Sequence, residues 1–270
     1  MTAPESSSAS PGGVTPRIPP QKGSDSHMSG VFNGTVASIT LRATMGRKRA
    51  FLFAVPSLIL ILVATALKIG NPGLVTWPSR VLGDFGFSVV LPLTALIIGT
   101  SVLGAEIDDG SVIHLLATPV RRSSVIMTKF AVAAGLTMAF AAVPELLAGL
   151  IATGGVTKLA FGIFIGALAG SVIYNALFVM ISVVTTRAMA VGLLYVLIWE
   201  GLLANFVSGA RELSVGQYSL GVANSIAHDA ALNAGLRLPT ALILGSIVTV
   251  GTLAFATRRL SSFSLKGESA

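Results

Sequence analysis

Two glutamates inside long apolar stretches are the residues of this sequence best suited to chemistry within a membrane. Glu145 lies in the stretch 130–153, and Glu200 lies in the stretch 189–207. A charged side chain at the centre of a span costs about 2.5–3.5 kcal/mol on the insertion scale, so it is usually retained for a function. Such a carboxylate can bind the cationic group of a substrate or accept a proton. The alternative is a carboxyl near the outer headgroups that stays hydrated or protonated.

The remaining reactive side chains do not form a recognisable catalytic set. Ser101 could act as a nucleophile inside a span, but no His lies within a span to serve as its base. The sequence has no Cys, no HExxH metal motif and no GxxxxGK[ST] phosphate-binding loop. We therefore expect a chain that is not an enzyme and that holds no catalytic residue, metal or cofactor of its own.

A polar segment separates two apolar stretches and reads EIDDGSVIHLLATPVRRSS over residues 106–124. Its central part, 110–118, is predicted to be a short helix that ends before Pro119. Two acids suit the free N–H groups at the start of this helix, namely Asp108 and Asp109. One face carries an apolar stripe made of Val112, Leu115 and Leu116. A solvated loop needs no such stripe, so the segment predicts a docking surface for a cytoplasmic partner.

The composition is that of an integral membrane protein. Hydrophobic residues make up 53% of the 270 residues and charged residues only 11%, against about 25% charged in ordinary soluble domains. A helix needs about 20 apolar residues to cross the hydrocarbon core. Six stretches meet this length: 51–69, 85–104, 130–153, 159–185, 189–207 and 239–257. None alternates with period two, so the predicted fold class is an all-α integral membrane protein with six transmembrane helices.

The basic residues predict the orientation. If the N-terminus lies inside, most of the 18 Lys and Arg residues fall in cytoplasmic segments, as the positive-inside rule requires. They are spread over several membrane-flanking loops, which argues against a nucleic-acid surface. We therefore predict a multi-pass protein of the cell inner (cytoplasmic) membrane with both termini in the cytoplasm.

The chain is predicted to divide into a tail, a membrane domain and a second tail. Residues 1–28 are rich in Ser and Pro and are expected to be disordered. The six-span transmembrane domain covers 29–260, and 261–270 form a cytoplasmic C-terminal tail. The domain begins with 29–50, predicted to be an interfacial helix, with a plain linker as the alternative. The outer segment 208–238 either returns to the membrane surface or is an ordinary extracellular loop.

A strip of small residues marks the fourth span. Gly162, Gly166 and Gly170 are spaced four apart and share one helix face. Such a strip lets another backbone approach closely. The partner is either a helix of the same chain or a second copy of it.

The segment 106–124 resembles the loop after the second span in the membrane permeases of type-2 ABC transporters. That loop reads Glu, three residues, Gly-Thr, three residues, Leu-Leu, then Pro and a nearby Arg, with Lys seven residues later. Ser replaces the usual Thr in this chain and keeps the hydroxyl. The matching residues are Glu106, Gly110, Ser111, Leu115, Leu116, Pro119, Arg122 and Lys129. The span count, the termini, the surface helix and the outer segment extend the resemblance over 29–260.

The resemblance implies that the segment is a coupling helix, formed with the flanking Asp108 and Asp109, and that a separate ATPase subunit binds ATP and Mg²⁺. It also implies two ATPases, a second permease copy in a homodimer, and export in most members. The expected function is therefore an ABC exporter permease that moves an apolar or amphipathic drug, peptide antibiotic or lipid-like molecule. The alternative is an ion- or proton-coupled secondary carrier that uses Glu145 and Glu200.

Overall fold

The chain folds into a bundle of helices. The computed structural model describes residues 34–44, 47–70, 77–108, 122–204 and 208–262. Within these ranges every regular element is a helix and none of the residues forms a strand. The predicted all-α class is therefore confirmed for the described part of the chain.

Among the described residues, five helices are long and apolar enough to cross a membrane. Helix α2 is Arg47–Gly70, α5 is Lys158–Val184 and α9 is Leu238–Ser262. Helix α3 runs through Trp77–Arg80, Val81–Val90 and Leu91–Asp108. Helix α4 runs through Arg122–Thr137, Met138–Ala142 and Val143–Thr153. These correspond to five of the six predicted spans.

The other predicted span, 189–207, forms a shorter apolar helix, α6, over Ala188–Leu203. At 1.5 Å per residue this helix extends about 24 Å, less than the hydrocarbon thickness of about 30 Å. Residues 205–207 lie outside the described residues. A sixth full span therefore stays a prediction.

Two spans begin well before their predicted apolar stretches. Helix α3 begins at Trp77 rather than at 85, and α4 begins at Arg122 rather than at 130. A hydropathy pattern marks the residues that suit hydrocarbon, whereas a helix continues through polar residues until its backbone is interrupted.

Three of these helices contain π-helical stretches. They are Val81–Val90 in α3, Met138–Ala142 in α4 and Tyr195–Leu203 in α6. The stretch in α3 packs against the stretch in α6 and against the Val143–Thr153 part of α4. Because π-helical turns are rare and frequently occur at functional sites, this region is a candidate for the functional site.

Helix α5 is the centre of the bundle. It packs against α3, α4 and α9, and against helix α8, Val215–Ala227. Its aromatic residues Tyr174 and Phe178 are fully buried and stack with ring centroids 5.9 Å apart. Large apolar side chains on α2, α6 and α9 instead face outwards, as lipid-facing residues do; examples are Leu62, Leu197 and Val250.

The region predicted to lie at the interface contains helix α1, Gly34–Thr44. It packs against the C-terminal part of α3 and the N-terminal part of α4, the two parts that flank the segment 109–121. Thr44 is buried, and its hydroxyl donates to the carbonyl of Thr40 at 2.7 Å. The interfacial placement of α1 stays a prediction.

The segment 208–238, predicted to lie on the outer side, is largely helical and packed rather than an ordinary loop. A short helix α7, Ser208–Arg211, precedes α8. Ser214 caps the N-terminus of α8, and His228 ends it in a left-handed conformation with φ 51°. Val215, Tyr218 and Ala223 are buried between α5 and α9. The segment therefore forms part of the folded core.

Candidate functional site

The glycine strip of α5 lies against the backbone of α8. A Cβ atom placed on Gly162 would be 2.6 Å from the carbonyl oxygen of Ala223, and one on Gly166 would be 2.6 Å from that of Ser219. Gly170 faces the side chain of Ser219 in the same way. Real Cβ atoms do not come this close to a carbonyl oxygen. The two helices can therefore pack this closely only because these positions of α5 are glycines. Of the two partners considered for the strip, the helix found against it belongs to the same chain.

Glu200 fixes the N-terminus of helix α8. Its Oε1 accepts hydrogen bonds from the backbone N–H of Val215 at 2.9 Å and from the hydroxyl of Tyr195 at 3.0 Å. Its Oε2 accepts from the hydroxyl of Ser214 and from the N–H of Gly216 at 3.4 Å. The first N–H groups of a helix have no partner within the helix and form its positive end, so a carboxylate there is favourable. Glu200 thereby ties α6 to α8.

The glycine at position 216 permits this arrangement. A Cβ atom there would lie 3.2 Å from Glu200 Oε2 and 3.4 Å from Ser214 Oγ. These distances are tighter than ordinary contacts, so a larger residue would press on the carboxylate. The contact between Glu200 and the helix start is therefore closely fitted.

Glu145 has a different environment. Its side chain is 0% exposed, and neither carboxyl oxygen has a hydrogen-bond partner among the described residues. The carboxyl lies beside Gly86 of α3, where an added Cβ would be 3.7 Å from Glu145 Cδ. It follows the π-helical stretch of α4 by three residues and faces the π-helical stretch of α3. Burial of a carboxyl group without hydrogen-bond partners is costly. Glu145 is therefore a candidate for a role in function rather than in stability.

Lys129 is the predicted coupling residue whose side chain the structure describes. It is fully buried on α4, and its Nζ donates to the carbonyl oxygen of Val102 on α3 at 3.0 Å. This bond joins the two helices that lead into and out of the segment 109–121. A buried, bonded lysine was not expected from the sequence pattern.

The other predicted coupling residues are only partly covered by the structure. Glu106 and Asp108 belong to the last turns of α3, and Arg122 is the first residue of α4. The rest lie outside the described residues: Asp109, Gly110, Ser111, Leu115, Leu116 and Pro119. The short helix itself, and the roles of these residues, stay predictions.

A buried polar contact in the bundle was missed by sequence reasoning. Asn175 on α5 donates from Nδ2 to the hydroxyl of Thr137 on α4 at 2.8 Å and to the carbonyl of Ser171 at 2.7 Å. Polar side chains commonly join helices within membranes. An Asn in an otherwise apolar span was the available signal.

The described residues offer no alternative site for a metal. They contain no group of three or more His, Asp or Glu side chains that could hold an ion. The arrangement therefore consists of one carboxylate used to anchor a helix, one buried carboxyl without partners, and a buried lysine that joins two helices.

The chain matches a known protein family. A family model described as ABC-2 family transporter protein matches residues 19–261. No curated protein matches the chain significantly. The match confirms, at the level of the family, the resemblance seen in the segment 106–124.

Proposed function

Since the chain belongs to the ABC-2 transporter family and is a multi-pass membrane permease without a catalytic domain, we propose that it exports an apolar or amphipathic compound across the cytoplasmic membrane. The family match over residues 19–261 is the observation that carries the proposal. Permeases of this family generally pair with an ABC ATPase. The complex proposed here has two ATPase subunits, which hold ATP and Mg²⁺, and two copies of this chain.

The proposed orientation follows from the distribution of basic residues. Both termini lie in the cytoplasm, with 1–28 and 261–270 as tails and 29–260 as a six-span domain. The segment 106–124 then lies on the cytoplasmic side, where an ATPase can reach it. Helix α6 is the fifth of the six spans in this scheme, and α9 is the sixth.

The coupling between the ATPase and the bundle is proposed to run through α3 and α4. The segment 109–121 connects the ends of these two helices, and the bond from Lys129 Nζ to the Val102 carbonyl joins them just above it. Both helices also pack against α5. A displacement of the segment therefore moves two spans together and presses on the central helix, which is the motion that alternating access requires.

The proposed cargo class follows from the surfaces that the helices offer. A groove of about 290 Å³ lies between α5, α8 and α9 and is lined mainly by apolar side chains, among them Val172, Val222 and Leu242. The described helices offer few polar groups to a solute. An apolar or amphipathic drug, peptide antibiotic or lipid-like molecule suits such surfaces better than a sugar or a free ion.

The alternative is a secondary carrier driven by ions or protons at Glu145 and Glu200. Glu200 Oε1 accepts from the N–H of Val215 and Oε2 accepts from the hydroxyl of Ser214, so both oxygens of this carboxylate are already engaged. Glu145 is the group on which that alternative would rest.

Affinity purification of the tagged chain from its native membrane tests the proposal. We expect an ABC ATPase to copurify, and we expect the reconstituted complex to export a fluorescent amphiphile only when ATP is hydrolysed. Transport driven by an ion or proton gradient in liposomes that hold the permease alone would contradict the proposal and favour the carrier.

A further inference from the structure

The buried carboxyl of Glu145 is the starting point. In the described part of the chain, the other buried side chains with an unpartnered polar atom are Thr94, Tyr174 and Asn175. All three are neutral, and Asn175 already donates twice through its amide nitrogen. Glu145 is the one side chain of this group that can carry a charge, and neither of its oxygens is bonded.

The comparison with Glu200 shows what this chain does with a carboxylate that has a structural task. Glu200 accepts four hydrogen bonds, two of them from backbone N–H groups of α8. A structural carboxylate is thus saturated, as buried charges generally are. Glu145 lacks such bonds among the described residues, so hydrogen bonding gives it no structural task there.

Small residues surround Glu145. Its neighbour on α3 is Gly86, and small residues occupy the same region of α4: Ala141, Ala142, Ala148 and Gly149 are all buried. The adjacent stretches of α3 and α4 are π-helical, and such turns frequently occur at functional sites. The carboxyl therefore lies among small residues at the junction of two irregular helical stretches.

The carboxyl of Glu145 and the apolar side chains near it together indicate the chemistry of the ligand. A carboxylate offers a negative charge and up to four acceptor positions, while the spans that pack against this part of α4 contribute apolar side chains such as Leu60 and Ala64 of α2. The best match is one positive charge on an apolar body. We infer that Glu145, beside Gly86, is the binding site for the positive charge of a lipophilic cation.

This inference rests on the proposed function and narrows the cargo from amphipathic compounds in general to cationic ones. Glu145 is enclosed in the conformation described, so the cation enters in a different stage of the transport cycle. The carboxylate then receives in the bound state the partner that it lacks in this one.

Binding of tetraphenylphosphonium to the purified full-length chain, together with whichever ATPase copurifies, tests the inference. This probe carries a permanent charge, so its binding does not depend on its own protonation. We expect Glu145→Gln to weaken binding at least about tenfold, equal to about 1.4 kcal/mol. The matched control is Glu212→Gln, since Glu212 is an exposed carboxylate; it should keep the wild-type affinity for the probe within about threefold.

The stability of the variants separates binding from structure. Gln has the size and shape of Glu, so Glu145→Gln keeps the packing of this buried side chain and should melt close to the wild type. A structural role predicts a lower melting temperature. Gly86→Leu is a second variant, which places a side chain against the carboxyl and should also weaken binding. Gly135→Leu is its control, because a Cβ there meets nothing within 4 Å.

Wild-type affinity for tetraphenylphosphonium in Glu145→Gln, or in Gly86→Leu if the first variant does not fold, overturns the inference. Equal loss of affinity in Glu145→Gln and in the Glu212→Gln control does so too. None of these results affects copurification of the ATPase, so the proposed exporter function stands or falls separately.

Discussion

The close contact between α5 and α8 predicts a large effect of a single substitution, Gly166→Leu. A Cβ atom at this position would lie 2.6 Å from the carbonyl oxygen of Ser219, 2.8 Å from Cβ of Ala223 and 2.9 Å from Cζ of Phe87. The first two belong to α8 and cannot rotate away, so the helices must separate by about 1 Å, which forfeits a quarter to a half of each dispersion contact. Overpacking of this kind costs about 1–3 kcal/mol.

The assay is the thermal unfolding of the purified permease in detergent. A loss of about 2 kcal/mol corresponds to a drop of about 4–8 °C for a chain of this size. Gly166→Ala should give a smaller drop in the same direction. The matched control is Gly251→Leu in α9, because a Cβ there meets nothing within 4 Å and the gain in helix propensity is the same. Equal melting temperatures for Gly166→Leu and Gly251→Leu would refute the assignment of α8 to the glycine strip.

Three further predictions concern the coupling segment and the anchoring bonds. Replacing Leu115 and Leu116 with Asp should abolish pull-down of the ATPase while membrane insertion is unchanged, since burial of each Leu contributes about 1.5–3 kcal/mol; full recovery of the ATPase would argue against the coupling helix. Glu200→Gln places an amide N–H group against groups that themselves donate hydrogen bonds. It should lower the local stability at the start of α8 by about 1–3 kcal/mol, which is measured as faster backbone hydrogen exchange there, whereas Glu145→Gln should not. Lys129→Met keeps the length of the side chain but loses the bond between α3 and α4, so ATPase pull-down should persist while cargo no longer stimulates ATP hydrolysis; normal stimulation would contradict that coupling path.

Features that repeat at helical spacing were predictable from the sequence. The spacing of Gly162, Gly166 and Gly170 places them on one helix face whatever the fold, and the apolar stretches fix where helices cross the membrane. The five long helices follow from the same reasoning. The loop motif around Leu115 and Leu116 was sufficient to indicate the family.

Features that depend on contacts between distant residues were not predictable. Glu145 and Glu200 look alike in sequence, since each is one acid in an apolar span. Only the fold brings Val215 to Glu200 and leaves Glu145 beside Gly86. The π-helical stretches and the buried state of Lys129 also depend on packing, which no local pattern encodes.

The position of α8 in the chain has a consequence for biosynthesis. Helix α5 ends at Val184, whereas its partner begins at Val215, so the ribosome completes the central helix before it makes the segment that covers it. At a synthesis rate of about 5–20 residues per second, the glycine groove stays uncovered for a few seconds. During that interval it is a small-residue surface of the kind that attracts other helices in a bilayer. Nascent chains that stop before Val215 therefore leave the glycine strip of α5 exposed to other helices. We expect membrane quality control to recognise such chains by this exposed strip.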